Sequence, residues 1–190
     1  YYKYVNKYFK NNSLDVINKM IDIIEKDSDI SLRILDWFVT RYSNKYNISY
    51  KLSENDIDDF NVHISYKAQL KSYKKRYFDP FRRRKKFNYY YHKTDKSKYI
   101  LTTIGQLNFF RWAFANKIIE YVEKYHKDIS KAMNKSNKEE KKKKTEKLKL
   151  KKEQNIKKVK KIKNIDNKKI NISADKKVKN DFVKIIVTFD

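Results

Sequence analysis

The chain has no cysteine, one glycine, one proline and about two basic residues for every acid. Without cysteine there is no disulfide, no thiolate metal ligand and no Cys nucleophile. The single glycine, Gly105, excludes a glycine-rich phosphate loop, and no nucleophile elbow is present. No window supplies the ~18 to 20 apolar residues that a bilayer span needs, so no membrane partner is expected. No signal-peptide pattern opens the chain, which starts on Tyr1 and not on Met. The histidines, His63, His92 and His126, are far apart and follow no ligand spacing, so neither a metal nor any other cofactor is expected. The acids Glu54, Asp56, Asp58 and Asp59 lack the spacing of a calcium loop and read as helix caps or as balance for nearby cations. Together these absences leave no support for an enzyme.

What is present is positive charge. Lys and Arg number 48 against 23 Asp and Glu, a formal net charge of +25 in 190 residues. An excess that large opposes compaction unless counterions or a polyanion neutralise it. The abundance of Lys, Asn, Ile, Tyr and Phe and the scarcity of Arg fit an AT-rich coding sequence. Asp and Glu codons tolerate the same bias, however, so coding alone does not explain the outnumbered acids. The expected partner is therefore nucleic acid, DNA before RNA.

Hydrophobic periodicity predicts a mainly α-helical domain over residues 1–134, with minor strand content. Ser13 reads as the N-cap of a helix to Asp27 that buries Leu14, Ile17, Met20, Ile21 and Ile24. Ser28 or Asp29 caps a second, burying Leu32, Leu35, Trp37, Phe38 and Tyr42 and leaving Asp36, Arg41 and Lys45 in water. A third runs from Val62 to Tyr77 and ends at Asp79-Pro80, because the residue before proline is pushed out of the α region. The fourth opens at Thr102 or Thr103 and continues for about 30 residues to Met133, long enough to be the spine of the domain. Between them, Tyr46–Leu52 and Phe87–Tyr91 have extended character.

Residues 135–170 hold 17 Lys against five acids and form a Lys-rich linker, expected to be disordered or a solvated helical extension. In the closing segment 171–190, the run from Phe182 to Phe189 predicts a C-terminal β-strand. A lone strand is unstable, so it needs a partner, either Tyr46–Leu52 or Phe87–Tyr91.

The sharpest local signal is a stretch with ten cations, Lys67, Lys71, Lys74, Lys75, Arg76, Arg82, Arg83, Arg84, Lys85 and Lys86, and one acid, Asp79. Lys67, Lys71, Lys74 and Lys75 are placed by helical spacing on one side of the third helix, opposite Leu70 and Tyr73. Arg82, Arg83 and Arg84 suit phosphate best, since a guanidinium fork matches two oxygens at once. Of the interleaved aromatics, Tyr73, Tyr77, Phe78 and Phe81 sit at core spacing. The run Tyr89–Tyr91 cannot all face inward, so it is either packing or a surface for unpaired bases.

The strings FNVHISYKAQLKSYKKRYFDPFRRRKKF (60–87) and TTIGQLNFFRWAFANKIIEYV (102–122), with ILDWFVTRYSNKYNISY (34–50) before them, resemble a group of uncharacterised proteins of nucleocytoplasmic large DNA viruses, the giant viruses. The likeness covers roughly residues 30–130 and extends to the closing stretch Phe182–Asp190. It implies a setting in the virion or the host cytoplasm and supplies no binding or catalytic residues. In that group the Asp-Pro-Phe step is often followed by cysteine, where this chain has Arg82. The function expected from these observations is viral, sequence-nonspecific nucleic-acid binding in genome packaging or organisation. The alternative is a structural component of the virion, contacting other virion proteins through its aromatic helices.

Overall fold

A computed structural model describes residues 1–92 and 94–166, with side chains as far as residue 150, Lys149 excepted. Helix α1 (Tyr2–Asn11), which periodicity does not single out, buries Val5 and Phe9 on one stripe and leaves Lys3, Lys7 and Lys10 exposed. Helix α2 (Leu14–Glu25) begins after Ser13 as expected and buries Ile17, Met20 and Ile23. Leu14, at its first position, stays exposed. The helix ends at Lys26, whose left-handed backbone (φ 74°) terminates the helical ladder.

The cap of α3 (Leu32–Trp37) is Ser31 and not Ser28 or Asp29; its Oγ accepts from the Ile34 N–H at 3.2 Å. A π-helical stretch, Phe38–Tyr42, carries α3 into α4 (Ser43–Lys45). Hydroxyl donors bond back along this widened segment, Thr40 to the Asp36 carbonyl and Ser43 to the Val39 carbonyl. Strands β1 (Ser49–Tyr50) and β2 (Phe60–Asn61) then pair antiparallel. Asn61 caps α5 (Val62–Tyr73) by accepting from the Ile64 N–H at 3.0 Å. The four acids before it therefore do not cap this helix, and Asp56 instead accepts from the Ser53 N–H within its own loop.

The third helix is shorter than its periodicity predicts. It stops at Lys74 (φ 61°), and Lys75–Tyr77 forms a single 3₁₀ turn. The early stop lets the chain leave the helix axis and bury Phe78 and Pro80. Strand β3 (Phe87–Tyr90) follows and pairs antiparallel with β4 (Tyr99–Thr102), Phe87 opposite Thr102 and Tyr90 opposite Tyr99. Both segments offered as partners for a C-terminal strand thus pair locally, and the expected strand itself lies outside the described residues.

The expected fourth helix is three helices: α6 (Ile104–Ala115), α7 (Ile118–Lys124) and α8 (His126–Asp166). Thr103 is the cap, its Oγ1 accepting from the Gln106 N–H. Lys117 (φ 54°) breaks the helical path, and Tyr50 satisfies the freed Asn116 carbonyl with a 2.7 Å hydroxyl bond. The break turns Ile118, Ile119 and Val122 into the core shared with α6. Helix α6 is the centre: Leu107, Asn108, Phe109, Phe110, Trp112 and Ala113 are all buried, which no one-faced helix could achieve.

The described residues are thus mainly α with two small antiparallel sheets. The chain divides into a unit of residues 1–139 and a second of residues 140–190. The described part of the second, to Asp166, is helical.

Gly105 is at the first turn of α6 because another backbone passes there. A Cβ on it would stand 2.9 Å from the Asp79 carbonyl oxygen, with Phe78 N and Arg76 O close behind. Gly105→Ala is expected to lower stability by about 1–3 kcal/mol through this overlap, against the usual gain of alanine in a helix. Denaturant melts check it; equal or greater stability would show that the turn is free to move.

Candidate nucleic-acid interface

All ten expected cations are exposed, and none forms an ion pair with a described residue. They do not share one helical face. Lys67 and Lys71, four apart, lie on α5, where Val62 and Tyr66 are buried on the other side. Lys74 and Lys75 lie beyond the helix end, so the predicted row of four lysines is a row of two followed by a turn. Arg76 leans on its neighbour, its guanidinium 4.6 Å from the Tyr77 ring centre.

The turn that carries them is pinned to α6. Asn108, fully buried, donates from Nδ2 to the Tyr77 carbonyl at 3.0 Å, and its Oδ1 accepts from Arg111 Nε at 2.9 Å. Both ends of a buried amide are thereby satisfied. Asp79, the one acid of the run, spends an oxygen on the Phe81 N–H at 2.9 Å. Phe78 is fully buried among Tyr66, Tyr73, Phe109 and Trp112. Phe81, expected in the core with it, is half exposed, because the turn at Pro80 points it outward. Arg82, Arg83, Arg84, Lys85 and Lys86 then run exposed into β3.

Tyr89–Tyr91 divides by strand alternation. Tyr89 is buried, its hydroxyl donating to Asn6 Oδ1, and burial pushes its pKa up to about 12. Tyr90 is exposed and Tyr91 half-buried.

A cleft of about 690 Å³ brings Lys67 and Lys75 together with Arg33 above Asp36, Tyr66 and Asp79. Arg33 and Asp36 are functional candidates that sequence reasoning did not find. Asp36 looks like an ordinary polar position of an amphipathic helix, and nothing local reports that α5 and the Asp79 turn close over it. Burial pushes its carboxyl from 3.8 up to about 6; the negative charge of Asp79 adds to the effect, and Arg41 opposes it. Desolvation likewise raises the Tyr66 hydroxyl, with Asp36 and Asp79 acting in the same direction.

The histidines make ordinary local contacts: His63 to the Val39 carbonyl, His92 to the Asp95 N–H, His126 to Ser130. Among the described residues no group of three or more acids and histidines is placed to hold a metal, and no helix is long and apolar enough to cross a membrane.

A folded-state carboxyl held above its unfolded value binds its proton more tightly in the native protein, so stability falls as pH rises from about 4 through about 6. Asp36→Asn removes the buried charge. It is expected to raise the melting midpoint by about 2–4 °C at pH 7 and by nothing at pH 4. An equal shift at both pH values would show that the charge of Asp36 is not what the fold resists.

The profile of a family described as being of unknown function, DUF7197, matches residues 3–185. The chain is also similar to an uncharacterised protein of Acanthamoeba polyphaga mimivirus, 48% identical over 136 residues that cover 69% of this chain and 52% of that protein. The chain thus spans about half the length of the curated relative it matches. No solved structure matches it. The resemblance to giant-virus proteins holds, and with nearly its whole length matched the chain belongs to DUF7197, a family of unknown function.

Proposed function

We propose that this protein is a sequence-nonspecific nucleic-acid-binding protein that serves in packaging or organising a viral genome within the virion or the host cytoplasm. The observation that carries the reading is the exposure of the ten cations between Lys67 and Lys86, none of them in an ion pair with a described residue, beside a single acid already bonded to backbone. Like charges held this close repel, and the repulsion is relieved when phosphates replace condensed counterions. The pinned turn matters here, because it gives the arginines a fixed point of departure from the fold. The described lysines of residues 140–148 add charge with no base selectivity of its own, so they strengthen binding without changing its preference.

Phosphate binding by counterion release makes the logarithm of affinity fall linearly with the logarithm of salt concentration. Replacing Arg82, Arg83 and Arg84 together by Ala is expected to make that slope shallower by about two to three for single-stranded and duplex DNA alike, with a melting midpoint no lower than that of the unaltered protein. Release of the unaltered protein from heparin or DNA resin below physiological salt would contradict the reading.

A further inference from the structure

We propose that the outward face of the β3–β4 hairpin is a stacking platform for unpaired bases, so that the protein takes single-stranded nucleic acid in preference to duplex. The inference rests on the nucleic-acid reading above and adds the form of the ligand and the residues that select it.

The hairpin sorts its side chains cleanly. Phe87, Tyr89, Ile100 and Thr102 face the core, while Asn88, Tyr90, Tyr99 and Leu101 face outward. Tyr90, Tyr99 and Leu101 are 47%, 48% and 49% exposed, although nothing in the local chain obliges an outward strand face to be aromatic. Single exposed aromatics need no explanation. Here two tyrosines oppose each other in register, ring centres 5.7 Å apart and planes at 56°, with a leucine on the same face.

Cations border this apolar face at both of its sequence ends. Arg82 to Lys86 lead directly into β3, and Lys96 and Lys98 stand in the connection to β4, Lys98 next to Tyr99. A shallow cleft of about 410 Å³ beside Tyr90 brings in Lys10 of α1 along with Tyr2, His92 and Lys96. The one acid of the connection, Asp95, is bonded to Ser97. Aromatic rings ringed by positive charge complement a ligand that offers flat apolar faces on an anionic backbone, and unpaired bases on a phosphate chain are such a ligand. In a duplex those faces are already stacked on each other, and only base edges and phosphates remain to be met.

The test uses the full chain and three probes of equal length: an oligothymidylate, its abasic counterpart and a duplex. The oligothymidylate is expected to bind about tenfold or more tighter than the abasic strand, and also more tightly than the duplex. Tyr90→Ala with Tyr99→Ala abolishes the preference for bases and leaves the salt slope unchanged. Tyr90→Phe with Tyr99→Phe keeps the preference and controls for folding. Replacing Arg82, Arg83 and Arg84 weakens all three probes together and preserves the ratio. Equal affinity for the abasic and base-bearing strands would overturn the platform while leaving phosphate binding intact; absence of affinity for all three at physiological salt would overturn both. A third result, in which the alanine pair converts a dimer to a monomer in sedimentation without altering base preference, would assign the face to a second copy of the chain and overturn the inference.

Discussion

The backbone of residues 76–79 lies directly against the first turn of α6, and the missing side chain of Gly105 is what admits it. Asn108, one turn further along, fixes the same segment through the Tyr77 carbonyl. Much of the first unit follows from that docking. It seats Phe78 beside Phe109 and Trp112, forces α5 to end at Lys74, and sends the chain past Pro80 towards β3 with its arginines outward. Arg111 extends the arrangement, holding Asn108 by one hydrogen bond while its guanidinium lies over the rings of Tyr4 and Tyr73, so α1, α5 and α6 meet around it. A protein with so much positive charge needs such a fastening, because repulsion among the cations of this run would otherwise favour an open chain.

The main helices were legible where burial follows one stripe. Ile17 and Met20, or Val62 and Tyr66, stand at helical spacing and are buried as that spacing implies, whereas Ile23 takes the buried place that the spacing gives to Ile24. Legibility failed where tertiary contacts override local pattern. The stretch from Thr103 to Met133 reads as one long helix because nothing in it is a strong breaker; the break at Lys117 depends on a tyrosine far away in the chain, Tyr50, taking the freed carbonyl. Gly105 sits in the first turn of α6, where helix propensity gives a glycine little cost, and its value lies in the backbone that passes beside it. Asp36 looked solvated for the same reason, since its burial comes from α5 and the Asp79 turn. Strand β4 does carry a local signal, since Tyr99–Thr102 alternates as a half-buried strand should and follows a polar connection, but four residues are too few to stand out beside the helical periodicity that follows.

The cation run itself was fully legible as composition and only partly as geometry. Its ten members are all exposed, yet they occupy a helix face, a turn and a strand approach, not one helical stripe. That distribution suits a flexible anionic chain following a curved surface better than a rigid rod laid along one helix. It also places the arginines beside the outward face of β3 and β4, which carries Tyr90 and Tyr99, a juxtaposition that appears only once the two strands are paired.

The central claim is that the folded unit itself, and not only the Lys-rich helix, meets the polyanion. Lysine and arginine modification footprinting of the full chain, read by mass spectrometry with and without a single-stranded oligonucleotide, tests it most directly. The account predicts protection of Lys75, Arg82, Arg83, Arg84, Lys85 and Lys86 along with lysines beyond residue 140. Protection confined to the lysines beyond residue 140 would contradict it.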